Sequence, residues 1–217
     1  MVSALLVVAA SLWLGVEIVS NTTADALADI HPEAALSQSD HPAALVSRAR
    51  RELAEAGGSQ VSDAVSRAAQ RALRGDPLEA EALSLLALAA EADGDKGRAE
   101  SLMQLAGARS RRDTRVQAWL LDRKLDAKEY AGALTHADAI LRVRPDARDA
   151  LLPVLTAFAD DPEGRGLLSS LLKRSPPWRS WFLAHLPGES QRPTALYDLY
   201  AALETGQAPL TAEEFRP

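Results

Sequence analysis

The sequence predicts an all-α fold built from stacked helix pairs, and three observations support this prediction. Pro77 and Pro145 lie 68 residues apart, which is twice 34, and Ala99 and Ala133 lie 34 residues apart. The composition is 47% apolar but only 5% aromatic, as in helices rich in leucine and alanine. No alternating apolar and polar run of the kind found in strands occurs after about residue 20. Helix pairs that recur at this period stack because one pair cannot bury its apolar face alone.

The chain begins with an apolar segment, MVSALLVVAASLWLGVEIV, close to the roughly 20 residues that cross a bilayer core. We therefore expect residues 1–19 to be a membrane anchor, a transmembrane helix. A cleaved signal peptide is one alternative, because Ala24-Asp25-Ala26 resembles a cleavage site, and a buried first helix is another. The first basic residue after the segment is Arg48. Because basic residues favour the cytoplasmic side, this spacing predicts that the repeats face the periplasm of a bacterium, anchored in its inner membrane.

The rest of the chain divides into three predicted parts. Residues 20–44 are predicted to link the anchor to the repeats or to cap them, residues 45–174 to form the repeats, and residues 175–217 to form C-terminal helices. Asp40-His41-Pro42 places a proline 35 residues before Pro77. The period therefore extends toward the N-terminus by one further unit.

The clearest repeat unit begins at Ala80. Its first helix is predicted over Ala80–Glu91, and its apolar residues follow the i, i+3, i+4, i+7 spacing of one helical face. Gly94 is predicted to end that helix, since glycine tolerates a left-handed C-cap. A second helix with its own apolar stripe follows. The two stripes consist of Leu83, Leu86, Ala87 and Ala90, and of Ala99, Leu102, Met103 and Ala106.

The small side chains of Ala87, Ala99 and Ala106 allow two helices to approach closely. Together with the 34-residue period, these alanines make the sequence resemble tetratricopeptide repeats. The resemblance covers about residues 62–173. It is weakest over residues 148–173, where Pro153 falls within the first helix. The resemblance implies a right-handed helix-turn-helix solenoid whose first helices line a concave groove. The lysine and asparagine residues with which chaperone-binding members hold a terminal carboxylate are not found, so that activity is not inferred.

Composition excludes several functional classes. The net charge of −6 and a pI near 5.3 argue against a nucleic-acid partner, which needs a basic surface. The chain has no cysteine, and it has neither a nucleophile elbow nor a phosphate-binding glycine loop. Its histidines are scattered along the sequence, at His31, His41, His136 and His185. We therefore predict that the protein is not an enzyme and that it has no metal site and no cofactor.

Two sets of residues are candidates for binding a partner. The first is a cluster of basic residues where the second helix of the clearest unit ends, accompanied by Asp122 on the predicted concave face. This set consists of Arg109, Arg111, Arg112, Arg115 and Asp122. The alternative for the arginines is that they compensate the dipole at a helix C-terminus.

The second set is aromatic. Ser175 is predicted to cap a helix in whose first turn Pro176 and Pro177 lie. Trp178, Trp181 and Phe182 then share one face. They form either a docking or carbohydrate-stacking surface or a packing contact with the next helix, predicted over residues 194–203.

The end of the chain contains a helix start signal. Thr211 and Glu214 form a capping box, but the sequence stops soon afterwards. We therefore expect a longer protein whose next helix begins at Ala212. Residues from about Gly206 onward are expected to fray.

The function predicted from these features is a membrane-tethered scaffold for protein–protein interactions in a bacterial cell envelope. The Pro-Pro-Trp turn, followed by a Leu-Tyr-Asp-Leu-Tyr helix, is similar to membrane-anchored repeat proteins of alphaproteobacteria. By analogy, an alternative is a non-catalytic module of a larger assembly or export protein for envelope polysaccharide. A third alternative is a soluble chaperone-like adaptor, in which residues 1–19 do not form an anchor.

Overall fold

A computed structural model describes residues 41–56, 61–205, 210, 211 and 214, and within these residues all regular secondary structure is helical. The predicted all-α class is therefore confirmed for this part of the chain. Ten α-helices are described, with one 3₁₀ turn at Pro145–Ala147 between the sixth and the seventh. They are α1 Pro42–Glu55, α2 Asp63–Gly75, α3 Ala80–Ala92, α4 Lys96–Arg109, α5 Thr114–Asp126, α6 Tyr130–Val143, α7 Arg148–Asp160, α8 Pro162–Leu172, α9 Arg179–Glu189 and α10 Pro193–Glu204.

The described helices belong to two compact units, which divide after Ser110. The first unit holds α1–α4. Within it, α1 packs against α2 and α3 against α4, and α2 also packs against α3. The pairing of consecutive helices agrees with the predicted helix pairs.

The first helix of the clearest predicted pair is found almost at its predicted bounds. The helix expected over Ala80–Glu91 is α3, one residue longer, and the turn after it contains Gly94 at φ +79°. This positive φ is the left-handed conformation that glycine tolerates best. Ala87 of α3 and Ala99 of α4 are both buried, and these two helices pack against each other.

The second unit holds α5–α10. Here α5 pairs with α6 and α7 with α8, while α9 packs against α7, and α10 against α8 and α7. One apolar core joins these helices, and it includes Leu141, Leu155, Leu168, Trp178 and Phe182.

Side-chain caps explain where several helices begin. Ser62 Oγ accepts a hydrogen bond from the Val65 amide at 3.2 Å before α2. Asp95 Oδ1 accepts one from the Arg98 amide at 3.1 Å before α4. The first amides of a helix have no partner inside the helix, so such caps fix its first turn.

The pair α7 and α8 corresponds to the degenerate repeat. Pro153 is exposed within α7, which nevertheless runs unbroken from Arg148 to Asp160. A Cβ atom at Gly164 would lie 2.9 Å from the Phe158 carbonyl oxygen. The first turn of α8 therefore contacts the end of α7 more closely than any other residue type permits.

Some predictions at the N-terminus lie outside the described residues, including the membrane helix over residues 1–19 and most of the linker over residues 20–44. No described helix has both the length and the apolar character needed to cross a membrane. Helix α1 begins at Pro42, three residues before the predicted start of the repeats.

Two predictions near the C-terminus are wrong. Helix α9 begins at Arg179 rather than at Ser175, and Ser175 has φ +49°, outside the helical region. The reason is that Trp178 is fully buried and the chain turns to place it there. The expected fraying from about Gly206 also does not hold for Glu214, which is buried, or for Leu210, which packs against the core.

Candidate functional site

The arginines of the predicted basic cluster are divided between the two units. Arg109 is the last residue of α4, and its guanidinium donates a hydrogen bond to the Pro77 carbonyl within the first unit. Arg111, Arg112 and Arg115 belong to the second unit and are exposed. Arg111 lines a groove of about 580 Å³ in that unit, and Arg112 and Arg115 do not line this groove.

This groove lies between α6 and α8 and has a volume of about 580 Å³. Its apolar part is formed by Leu134 from α6 and by Leu167 and Leu171 from α8. Leu134 and Leu171 are almost fully buried. Three arginines also line it, namely Arg111 before α5, Arg142 near the end of α6 and Arg174 after α8. We call this feature the α6–α8 groove.

Asp138 is the carboxylate that lines the α6–α8 groove. Nε of Arg142, four residues later on α6, donates to Asp138 Oδ1 at 2.9 Å and to Oδ2 at 2.8 Å. The indole Nε1 of Trp178 donates to the same Oδ1 at 2.9 Å. Asp138 therefore connects one groove arginine directly to the buried core of the unit.

The other two arginines differ from Arg142. Among the residues that the structure describes, neither Arg111 nor Arg174 has a carboxylate within ion-pair distance. Three guanidinium groups and one carboxylate give the groove a local charge of +2, in a chain whose net charge is −6. The groove is thus a basic region of an acidic protein.

The positive field extends to a neighbouring histidine. His136 Nδ1 lies 2.8 Å from Oε1 of the buried Gln117. Burial lowers the pKa of His136, and the positive charges of Lys124 and Arg111 lower that pKa further. The imidazole is consequently held in its neutral form near neutral pH.

The aromatic candidates are mostly core residues. Trp178 and Phe182 are fully buried, with ring centroids 6.1 Å apart in an edge-to-face arrangement. The docking interpretation is wrong for these two residues, and the packing interpretation holds, since both share a core with Leu199 of α10. Trp181 is half-buried, and the Arg148 guanidinium carbon lies 5.5 Å from its ring centroid. Asp122 is exposed on α5 and does not line the groove.

Metal-binding chemistry is not found in the described part of the chain. No three histidine, aspartate or glutamate side chains there are close enough together to hold an ion. No protein-family model, curated protein or solved structure matches this chain.

Sequence reasoning missed Asp138, Arg142 and Arg174. A signal for the arginines was present, because Arg109, Arg142 and Arg174 end or follow successive second helices at spacings of 33 and 32 residues. Alignment of the repeats would have exposed this series. The role of Asp138 had no such signal, because its partner Trp178 is 40 residues away in the sequence.

Proposed function

We propose that this protein is a non-catalytic helical-repeat scaffold of the tetratricopeptide type, which binds a partner protein through the α6–α8 groove. The observation that supports this most directly is the amphipathic lining of the groove, in which Leu134, Leu167 and Leu171 lie beside arginines. Grooves between helices that combine an apolar strip with charged edges are suited to short polypeptide segments.

The chemistry of the lining favours binding over catalysis. Arginine stays protonated at any physiological pH and cannot act as a general base. Asp138 is already engaged by Arg142 and Trp178. The remaining polar groups of the lining are the hydroxyls of Thr135 and Ser170, and both donate to backbone carbonyls of their own helices.

The proposal includes a location. Residues 1–19 anchor the scaffold in a bacterial inner membrane, and the repeats face the periplasm, where the partner is presented. This location is supported by the length and apolar character of the segment, and by the absence of any arginine or lysine between the segment and Arg48. The protein should stay in the membrane fraction through a high-salt wash, and removal of residues 1–23 should release a folded helical domain. A full-length protein that is soluble without detergent would contradict the anchor.

Site-specific photo-crosslinking tests the scaffold proposal. A benzophenone amino acid is placed at Ala131 or at Ser170, which are exposed and line the groove, in the full-length protein in cells of its source organism. Tyr197, 75% exposed on α10, is the control position. We expect both groove positions to give the same discrete protein adduct and Tyr197 to give none.

Two results would contradict the proposal. One is the absence of a protein adduct at both groove positions. The other is an adduct whose crosslinked partner is digested by glycosidases but not by proteases. That result would favour the polysaccharide-assembly alternative.

A further inference from the structure

We propose that the partner segment held in the α6–α8 groove is acidic, with glutamate or aspartate side chains paired with Arg111 and Arg174 and an apolar side chain between them. This inference rests on the proposed function and specifies the chemistry of the partner. This groove is formed by the second helices of two pairs, α6 and α8.

Charge complementarity is the first argument. The groove has a local charge of +2 on a chain with a net charge of −6. An acidic segment is therefore attracted to the groove and repelled by much of the remaining surface. The difference in charge between the groove and the rest of the protein favours binding of an acidic segment at the groove. Elsewhere the like charges of the segment and the protein repel each other.

Unused donors are the second argument. Arg111 and Arg174 have no carboxylate partner among the described residues. Arg142 makes both of its bonds to Asp138 through Nε, so neither terminal nitrogen takes part in that pairing. A guanidinium group donates two parallel hydrogen bonds to a carboxylate. A glutamate or aspartate side chain of an acidic peptide can accept such a pair of bonds from each of these arginines.

The apolar lining is the third argument. Leu167 lines the same groove as the arginines and is half-buried, whereas Leu134 and Leu171 are almost fully buried. A ligand that is only charged would leave the exposed part of Leu167 in water. A segment that has an apolar residue among its acidic ones covers this part of Leu167 and gains about 25 cal/mol for each Å² of apolar surface removed from water.

The test measures peptide binding to the full-length protein by isothermal titration calorimetry. The probe is a peptide of about twelve residues with glutamates and leucines alternating, and its comparison peptide has glutamine in place of every glutamate. We expect the glutamate peptide to bind at least tenfold more tightly at about 50 mM salt. This preference for the glutamate peptide should fall severalfold at about 500 mM salt, because dissolved ions reduce the range and strength of electrostatic attraction.

Matched variants locate the binding. Arg111→Gln and Arg174→Gln are each expected to weaken binding of the glutamate peptide about three- to fivefold, the range for exposed ion pairs. Arg112→Gln makes the same change of charge beside Arg111, but Arg112 does not line the groove. It should leave the affinity unchanged, and Arg111→Lys should retain part of it. Equal loss in Arg112→Gln and Arg174→Gln would overturn the inference.

Other outcomes separate this inference from the proposed function. A groove that yields the expected protein adduct but binds glutamate and glutamine peptides equally well overturns the acidic partner and leaves the scaffold intact. Alginate, a polyuronate that has carboxylates but no apolar side chains, is the competing probe. If alginate displaces the peptide at equal carboxylate concentration, the groove recognises an anionic polymer, and the inference of a polypeptide is overturned.

Discussion

Arg179 and Glu214 form an ion pair inside the second unit, with Arg179 Nε 3.0 Å from Glu214 Oε1 and side chains only 5% and 3% exposed. Nε is not aligned for a hydrogen bond, but Nη2 donates to Oε2 at 3.2 Å. Ser180 Oγ and the Thr211 amide also donate to the Glu214 carboxylate. The pair ties the start of α9 to the segment that follows α10.

Breaking this pair is expected to be costly. Arg179→Met leaves the Glu214 carboxylate buried without its cation and should lower the free energy of unfolding by about 3–5 kcal/mol. The double variant with Glu214→Gln should lose less than the sum of the two single losses, because neither charge then remains unpaired. Urea unfolding followed by circular dichroism measures all three variants.

An exposed pair provides the control. Arg144 and Asp146 also form an ion pair, but both side chains are more than half exposed. Arg144→Met should leave the urea midpoint unchanged. If Arg179→Met is equally harmless, Glu214 is not held in the buried position described.

The Glu214 contact shows what a local sequence signal can and cannot predict. The capping box correctly predicted that Glu214 reaches back to the Thr211 amide, since both lie within four residues. It could not predict Arg179, which is 35 residues away. Fraying was expected because a short terminal helix cannot nucleate alone, but a buried cation stabilises the carboxylate instead.

Bulky substitution at the helix contacts should destabilise each unit. Ala99 and Ala133 are buried in the first and second unit respectively, whereas Ala108 is exposed on α4. Ala99→Leu and Ala133→Leu should each cost about 1–3 kcal/mol because no room exists for the added atoms. Ala108→Leu should be neutral. Thermal unfolding compares the three, and equal shifts at all of them would contradict the close helix contacts.

Two glycines of the first unit should respond with opposite signs to the same change. Gly94 has φ +79°, so Gly94→Ala strains the backbone and should destabilise the protein by about 1 kcal/mol. Gly97 lies in the first turn of α4, and an added Cβ there meets open space. Gly97→Ala should stabilise by about 0.5 kcal/mol, because the unfolded chain loses freedom. A stabilising effect of Gly94→Ala, read from the urea midpoint, would rule out the left-handed turn.

Stability should fall when the pH is lowered through the range of His136. The pKa of folded His136 is below its ordinary value of 6.5 because of burial, Lys124 and Arg111. The unfolded chain therefore binds the proton first as pH falls, and stability is lost from about 6.5 downward. His136→Asn should flatten this dependence between about pH 7.5 and 5.5, as measured by urea unfolding. An unchanged slope in that variant would show that His136 titrates normally.

The fold was predictable to the extent that it repeats. The period and the apolar stripe located α3 within one residue of its bounds, because that helix is specified by its own sequence. The start of α9 was misplaced because Ser175, Pro176 and Pro177 match a local helix signal. The burial of Trp178, a tertiary effect, decides the turn instead.

The candidate site was predictable only in part. Arg111 was identified from its basic neighbours, yet Arg112 and Arg115 beside it do not line the groove. A cluster of charged residues in the sequence does not show in which direction each side chain points once the chain has turned. The groove residues come from two different helix pairs and meet because those pairs pack together. This packing depends on many residues at once, so no local sequence pattern predicts it.

The hydrogen bond from Trp178 to Asp138 makes the groove observable by fluorescence. Asp138 Oδ1 accepts from both the indole Nε1 and Arg142 Nε, so a ligand carboxylate that attracts Arg142 alters the field at the indole. Indole emission responds to such fields, and Trp178 is shielded from water. A variant in which phenylalanine replaces Trp13, Trp119 and Trp181 would thus report groove occupancy through its single remaining tryptophan, without any attached dye.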